Sequence, residues 1–260
     1  MKKKIKLILI GGQSNAVGCT MTESLDEKHE GKEFERVCLY QEGNFTAETK
    51  YKIIPKITLG MGCKPHQMGI EYGISQILNE LDGAFGLIRF AYGGTDLGFH
   101  WQTEFEKIPE TVEDKGYCYH EFVGTVKRGV SEFIKAGYDC EILGMVWMQG
   151  ESDTNKTLSQ AEDYESNLKK LFTAIRRELE LPELKIIVGG LSTNPPLAPF
   201  SDIVRQKQED YCRKDQYAIY IDNTDIPIGR DGWHYEGNED LELGKRFGKY
   251  IKDYLLRGKK

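Results

Sequence analysis

The chain has 260 residues, enough for one α/β domain with a well-buried core, and we expect a single domain over residues 1–260. Its formal charge is −6, with 41 acidic against 35 basic residues, so the composition does not predict a basic surface that would bind nucleic acid. Hydrophobic residues make up 39% and charges are spread along the whole length, which excludes disordered and membrane-embedded proteins and predicts a soluble globular one.

The first residues combine a short basic run, 2–4, with an apolar run, 5–10. This apolar run is too short for a signal peptide, Lys6 interrupts it, and no small-residue cleavage site follows it. We therefore predict a buried first strand. The six cysteines are scattered without a CxxC pair, which favours reduced thiols in a cytoplasmic protein.

Five short apolar or β-branched runs, each bounded by glycine or polar residues, predict strands buried on both faces. They are Lys6 to Ile10, Phe85 to Ala91, Glu141 to Met148, Lys185 to Leu191 and Tyr217 to Asp222. Apolar side chains at helical spacing predict four helices, over 70–81, 122–134, 164–179 and 243–255. The alternation predicts a three-layer α/β/α sandwich with a central, mostly parallel five-stranded sheet.

Polar segments that contain glycine follow the first three predicted strands, at 11–15, 92–96 and 149–153. Because the carboxyl ends of parallel strands share one edge of a sheet, we expect these segments to face one crevice. Residues 20–60 show less hydrophobic periodicity, which predicts a long excursion of the chain that could border the crevice. The proline-rich run 194–199 predicts a stiff connection after the fourth strand.

Ser14 stands where the first strand turns into a predicted helix, with Gly12 before it and Ala16 after it. A hydroxyl at a helix N-terminus is a candidate nucleophile, because backbone N–H groups there favour developing negative charge. The segment is equally compatible with a tight turn in which Ser14 only caps the helix. It is not a Gly-x-Ser-x-Gly elbow, since Ala16 replaces the second glycine, and the Walker and Rossmann glycine patterns are absent.

A serine nucleophile needs a base, and the chain has five histidines. Asp231 precedes His234 by three residues, a spacing that lets the carboxylate bind imidazole Nδ1 and leave Nε2 free for the serine proton. On its own, this pair is also compatible with a helix-capping loop. The other histidines are predicted at the surface (His29, His120), at the start of a helix (His66) and beside Trp101, lining a pocket (His100).

Acyl transfer also needs donors for a developing oxyanion, each contributing about 3 kcal/mol to the transition state. The backbone N–H groups of Ser14 and Gly94 and the side-chain amide of Gln149 are candidates. Gly93 and Gly94 would allow a close approach of the substrate, although both are compatible with a simple turn. Gln149 and Glu151 follow a strand expected to be deeply buried, which favours a functional segment over a merely solvated loop.

Together these segments resemble the SGNH hydrolases, and most closely the branch with the carbohydrate esterase family six acetylxylan esterases and sialate O-acetylesterase-like proteins. The matching blocks are 12–16, 93–95, 147–153 and 231–234, with a weaker match at 69–73. They occur in the family's order over nearly the whole chain. The resemblance implies a flavodoxin-like fold, ester hydrolysis through an acyl-enzyme, and no metal or organic cofactor.

Carried over by position, Ser14 looks like the nucleophile, His234 like the base and Asp231 like its orienting acid. Gly94 and Gln149, with the N–H of Ser14, look like the oxyanion donors. Gln149 stands where more distant SGNH enzymes have asparagine, so its role is carried over less directly.

Two further positions qualify the resemblance. Met148 replaces a histidine that many acetylxylan esterases have before Gln-Gly-Glu. Glu151 rivals Asp231 as the triad acid because it lies in a matching block, and we favour Asp231 because its contact with His234 is local in the chain. Candidate supporting or substrate-binding residues are Gln13, Asn15, Gly93, Glu151, Trp101 and Trp233, together with Tyr92.

The resemblance implies a serine esterase that removes O-acetyl groups from carbohydrate, such as acetylated xylan or xylooligosaccharides, through an acetyl-serine intermediate. Sialate O-acetylesterase activity and general short-chain carboxylesterase activity are alternatives, as is a carbohydrate-binding protein without catalysis. We expect an acetylated carbohydrate as partner, and neither nucleic acid nor a membrane. The sequence leaves the oligomeric state open.

Overall fold

A parallel sheet forms the centre of the protein, in a computed structural model that describes residues 2–29, 31–192 and 197–257. The strands are β1 (Lys3–Gly12), β2 (Thr20–Met21), β3 (Val37–Gly43), β4 (Gln67–Met68), β5 (Phe85–Ala91), β6 (Tyr138–Met148), β7 (Ile186–Gly189) and β8 (Ala218–Ile221). Six of them make one sheet in the order β3-β5-β1-β6-β7-β8, with every neighbouring pair parallel. β2 and β4 form a separate antiparallel pair.

Helices cover both faces of the large sheet. They are α1 (Ser14–Val17), α2 (Ile70–Leu78), α3 (Tyr117–Lys135), α4 (Leu158–Glu162), α5 (Tyr164–Glu178), α6 (Ser201–Lys214) and α7 (Gly237–Tyr250). Consecutive strand residues point to opposite faces. Thus the Trp147 ring packs 5.5 Å from Phe172 of α5, whereas Met148 lies with Phe247 of α7 against Gly189.

The predicted three-layer α/β/α architecture is confirmed, but the sheet has six strands rather than five. The additional strand, β3, lies inside the excursion predicted at 20–60 and forms one edge of the sheet. Helix α6 was also absent from the predicted elements. The prediction that His66 begins a helix is wrong, because His66 lies in a turn just before β4.

The polar end of β3 is buried through partners distant in the chain. Gln41 accepts hydrogen bonds from Arg89 of β5, and Glu42 pairs with Arg128 of α3 at 2.6 Å. Arg89 is fully buried and also forms an ion pair with Glu71 of α2. Because a buried charge needs such partners, these contacts allow polar residues inside a central layer.

Parts of the predicted proline-rich connection, residues 194–196, lie outside the described residues. Among the helices that are described, none combines the length and apolar character needed to cross a membrane. The described chain places β1, β5 and β6 side by side, so the three polar segments that follow them meet at one edge of the sheet.

Candidate active site

The turn after β1 carries Ser14 at the first position of the one-turn helix α1. Gly12 has φ +150°, and a Cβ there would lie 1.9 Å from the Met148 carbonyl oxygen, so glycine permits the close approach of the β1 and β6 ends. As the first helical residue, Ser14 has no acceptor for its N–H within the helix. That N–H is therefore left without an intrahelical bond.

Asp231 and His234 are in direct contact. His234 Nδ1 lies 2.6 Å from Asp231 Oδ2, and Asp231 Oδ1 accepts the backbone N–H groups of Trp233 and His234 at 2.8 Å each. Partial burial acts to raise the Asp231 pKa, but these hydrogen bonds outweigh it and hold the pKa below its ordinary value. The ionised carboxylate thus orients the ring with Nε2 as the free nitrogen.

Ser14 and His234 line the same open pocket of about 400 Å³. The residues that line this pocket come mostly from the three polar segments that follow β1, β5 and β6 and from the block at 231–234. They are Gln13, Ser14, Cys19, Gly93, Gly94, Glu151, Ser152, Asn155, Trp233 and His234. The nucleophile candidate and the base candidate, 220 positions apart in the chain, are therefore brought together.

Gly94, a predicted oxyanion donor, lines the pocket that contains Ser14. It is exposed in the pocket wall, has φ +74°, and no other atom lies within 4 Å of the position that a Cβ would occupy. Gly93 lines the pocket beside it. Substrate can therefore reach the backbone at this turn without meeting a side chain.

Gln149 lies behind the pocket wall and is fully buried. Its amide nitrogen donates to Gln13 Oε1 at 3.2 Å, the Thr95 carbonyl at 3.0 Å and Asp153 Oδ2 at 2.7 Å. The pocket lining does not include it. This arrangement does not fit the predicted role of direct oxyanion donor, because the amide protons are already bound; it fits a residue that holds the surrounding loops.

Two other predicted supporting residues connect the loops around the nucleophile. Gln13 Oε1 accepts the Ser152 N–H at 3.2 Å, and Asn15 donates to Glu151 Oε1 at 2.5 Å and to the Trp233 carbonyl at 3.1 Å. Asn15 thereby ties α1 to the loop that carries His234.

Glu151, the rival acid, contacts Asn15 rather than His234 through a hydrogen bond. Its other oxygen, Oε2, has no hydrogen-bond partner among the described residues. Burial raises the pKa of this carboxyl, which disfavours its charged form. The geometry therefore favours Asp231 as the group that orients His234.

Of the aromatic residues predicted to contact substrate, one lies in the core and another lines the pocket. Trp101 is 1% exposed and packs at 4.8 Å against Trp147, so the prediction that it contacts substrate is not supported by its position. Its indole N–H instead donates to Thr95 Oγ1 at 3.1 Å and steadies the turn after β5. Trp233 lines the pocket, whereas Tyr92 packs edge-on against Tyr117.

His100 does not line this pocket but lies 3.2 Å from Asp96, within the turn that follows β5. Sequence reasoning missed three pocket residues, Cys19, Ser152 and Asn155. Ser152 lies inside a matching block and could have been selected on that ground. Cys19 and Asn155 carry no such local signal.

Comparison with known proteins identifies the family of this chain. A family model described as carbohydrate esterase, sialic acid-specific acetylesterase, matches residues 4–253. The chain belongs to this carbohydrate esterase family. A probable carbohydrate esterase of Arabidopsis thaliana is 30% identical over 166 residues, a match that spans 64% of this chain and only 55% of that relative.

Solved structures of other proteins share the α/β fold of this chain. The X-ray structure of the Arabidopsis thaliana protein has a TM-score of 0.71 at 20% identity and covers 96% of this chain and 98% of its own. The structure of NanS has a TM-score of 0.69 at 14% identity, over 98% of this chain and 99% of its own. A carbohydrate acetylesterase from Xanthomonas citri has a TM-score of 0.60 at 13% identity, over 97% of this chain and 56% of its own.

Proposed function

We propose that this protein is a serine esterase that hydrolyses O-acetyl groups of carbohydrates, with Ser14, His234 and Asp231 as its catalytic triad. The observation that carries the proposal is the 2.6 Å contact between Asp231 and His234 Nδ1 in a pocket that His234 shares with Ser14. Family membership supports the deacetylation of carbohydrates as the reaction class.

In the proposed mechanism, His234 Nε2 takes the Ser14 proton as the hydroxyl oxygen attacks the acetyl carbonyl carbon. Asp231 stabilises the imidazolium that forms. The N–H groups of Ser14 and Gly94 donate to the oxyanion. Collapse of the tetrahedral intermediate releases the sugar hydroxyl, which receives the proton from His234. Water then gives a proton to His234 as it attacks the acetyl-serine carbonyl, and the second intermediate collapses to acetate and Ser14, whose oxygen takes the proton back.

The pocket lining favours a short acyl group. Around Ser14 the lining residues are glycines and residues that carry hydroxyl, amide, thiol, carboxyl, imidazole or indole groups. None of the described lining residues has an aliphatic side chain. A long acyl chain would meet no leucine, isoleucine, valine or methionine side chain among these lining residues. We therefore propose acetyl esters as substrates over longer ones.

Charge favours a neutral sugar as the alcohol. The ionised carboxylate of Asp231 makes the local charge negative, and Lys156, next to the pocket residue Asn155, is paired with Asp96. An anionic sugar would therefore be repelled. We propose that the substrate is acetylated xylan or xylooligosaccharides. Acetylated sialic acid, which the family description names, is the less favoured substrate.

The test of the reaction is hydrolysis of 4-nitrophenyl acetate by the wild type and by Ser14→Ala. We expect the variant to lose turnover while its thermal unfolding is unchanged, and retained turnover would refute the nucleophile. The test of the alcohol is kcat/KM on acetylated xylooligosaccharides against acetylated sialic acid. A preference for the sialic acid would contradict the neutral substrate, and a protein that only binds carbohydrate would turn over neither.

A further inference from the structure

The large sheet has an edge strand on each side, β3 and β8, and the two edges differ. Along β3, Leu39 exchanges backbone hydrogen bonds with Ile54 at 2.9 and 2.7 Å, and Gln41 accepts the Tyr51 N–H at 3.3 Å. In the part of the chain that the structure describes, no segment pairs in this way with the outer side of β8. An open edge strand is a template for a further strand.

The alternation of the backbone along β8 fixes which of its groups face the open edge. The Tyr217 carbonyl accepts the Ile186 N–H, and the Ile221 carbonyl accepts the Gly190 N–H, both at 2.8 Å, so these carbonyls face β7. Every second residue of a strand turns its N–H and C=O groups to the same side. The residues whose groups face away from β7 are therefore 218, 220 and 222.

Four of these outward groups have no hydrogen-bond partner among the described residues. They are the carbonyl of Ala218, the N–H and the carbonyl of Tyr220, and the N–H of Asp222. The other two groups are satisfied within the chain, because the Ala218 N–H donates to the Asp215 carbonyl at 3.1 Å and Arg246 donates to the Asp222 carbonyl at 2.8 Å. The open edge thus presents two donors and two acceptors.

This set of four groups is complementary to itself. When a twofold axis places Tyr220 of a second copy opposite Tyr220 of the first, each N–H meets the carbonyl of the other, as in a hydrogen-bonded antiparallel pair. In the same register, Asp222 of each copy lies opposite Ala218 of the other, and its N–H meets the free Ala218 carbonyl. Four hydrogen bonds form, and all four outward groups of each copy are paired.

A groove runs along the same edge and leaves the strand accessible. Residues of α6 line one wall, and residues of α7 and of the π-helix Ile251–Leu256 line the other. A part of about 950 Å³ lies at the start of β8 and a part of about 200 Å³ at its end, and Glu209 and Tyr220 line both. Ile219 and Tyr220 are only half-buried, so a second strand can reach them.

The charges along this groove have opposite sign at its two ends. Basic residues outnumber acidic ones at the start of β8, where the charged lining residues are Arg213, Lys249, Arg257, Glu209 and Asp253. Acidic residues outnumber basic ones at its end, where they are Asp202, Glu209, Asp222 and Arg205.

A twofold axis turns this difference between the ends into complementarity. Helix α6 carries exposed Asp202 at one end of the groove and exposed Arg213 at the other. Because the axis reverses the groove, Asp202 of each copy lies at the end that carries Arg213 of the other. Their present partners, Arg205 for Asp202 and Glu209 for Arg213, belong to surface pairs that contribute little.

We propose that a second copy of this chain pairs with β8, its own β8 lying antiparallel to the first, so that one continuous sheet runs through a twofold dimer. Backbone groups and charges are both self-complementary in this arrangement, which a strand from an unrelated protein would not require. Antiparallel pairing also reverses the strand direction between the copies. The two pockets that contain Ser14 therefore open at opposite ends of the continuous sheet.

The experiment measures the mass of the full chain by sedimentation velocity over a wide range of concentration. We expect the wild type to reach twice the mass of one chain. Asp202→Arg and Arg213→Asp should each raise the dissociation constant by about tenfold or more, because each places like charges together at two symmetric contacts. The double variant Asp202→Arg/Arg213→Asp should recover the wild-type constant.

The matched control is Lys170→Glu, a charge reversal on exposed α5 outside the groove, which should leave the dissociation constant unchanged. Thermal unfolding of each variant verifies that it is folded. Hydrogen exchange then locates the interface without any substitution. The Tyr220 and Asp222 N–H groups should exchange quickly in dilute wild type and become protected at the concentrations where the mass doubles.

A wild type that stays monomeric at every concentration would overturn the proposal. So would a dimer in which the β8 amides stay unprotected, or in which both single variants associate as tightly as the wild type. Protection of these amides only by a different protein would assign the groove to that protein and also overturn it. Should a variant fail to fold, the exchange of the wild-type β8 amides decides the question.

Discussion

At the scale of single residues, the different roles of Asp231 and Glu151 follow from the different surroundings of their carboxyl groups. Asp231 receives two backbone N–H groups and the imidazole, which favour its charged form. Glu151 is buried with one oxygen unpaired among the described residues, which favours its neutral form. An orienting acid must be charged to stabilise an imidazolium, so Asp231 is suited to that role.

This difference predicts how two conservative variants rank. Asp231→Asn should lower kcat/KM on 4-nitrophenyl acetate by about 100-fold or more, because the amide can hold His234 in the wrong tautomer. Glu151→Gln should lower it by much less. The measurement is steady-state kinetics of both variants at one pH, and the reverse ranking would transfer the orienting role to Glu151.

At the scale of elements, Asp153 connects the turns that follow β5 and β6. Its carboxylate accepts the Leu97 N–H at 3.2 Å and the amides of Gln149 and Gln160 at 2.7 and 3.1 Å. Burial raises the Asp153 pKa from its ordinary 3.8 to about 6, even though these hydrogen bonds oppose the shift. Its ionisation is therefore less favourable in the folded protein than in the unfolded chain.

The shift predicts a pH-dependent term in stability. Between about pH 4 and pH 6 the unfolded chain loses the Asp153 proton before the folded protein does, so the contribution of Asp153 to the free energy of unfolding falls as pH rises. Asp153→Asn has no such term. We expect the stability of the wild type relative to this variant to decrease over that interval in urea titrations, and a constant or increasing difference would contradict the shift.

A second coupling of elements is the Arg89 cluster beneath α1. Arg89 donates to Gln41 of β3, Glu71 of α2, the Met61 carbonyl and, at 3.4 Å, the Ala16 carbonyl of α1. All of its N–H groups face acceptors, so removing the guanidinium would leave several buried groups unpaired.

Arg89→Met should therefore lower the free energy of unfolding by about 3 kcal/mol or more. Lys56→Met is the matched control, because Lys56 pairs with Glu33 at the surface and such a pair contributes less than about 1 kcal/mol. Urea unfolding of both variants measures the difference. Equal losses would mean that the buried pair contributes no more than the exposed one.

The elements that the sequence did not predict share a physical cause. In β3, Gln41 and Glu42 interrupt the apolar run, and their burial depends on Arg89 and Arg128, which are distant in the chain. In α6, only a narrow set of side chains is buried because the helix packs near the edge strand β8. Continuous apolar runs predicted the other central strands, and apolar side chains at helical spacing predicted the long helices. Both patterns are clear because burial is continuous along those elements.

At the scale of the whole molecule, the sheet order brings together segments that are far apart in the chain. The ends of β1, β5 and β6 are adjacent, and the loop before α7 closes over them through the bond from Asn15 to the Trp233 carbonyl. The sequence indicated which segments would converge. It could not show that Gln149 turns inward, because its orientation depends on how separate loops pack.

The most direct test of the central claim is the site at which an organophosphate modifies the intact protein. We expect one adduct per chain, located by peptide mass spectrometry at Ser14, and its formation should be strongly slowed in His234→Ala. An adduct at another residue, or an unmodified wild-type chain, would contradict a nucleophilic Ser14 activated by His234.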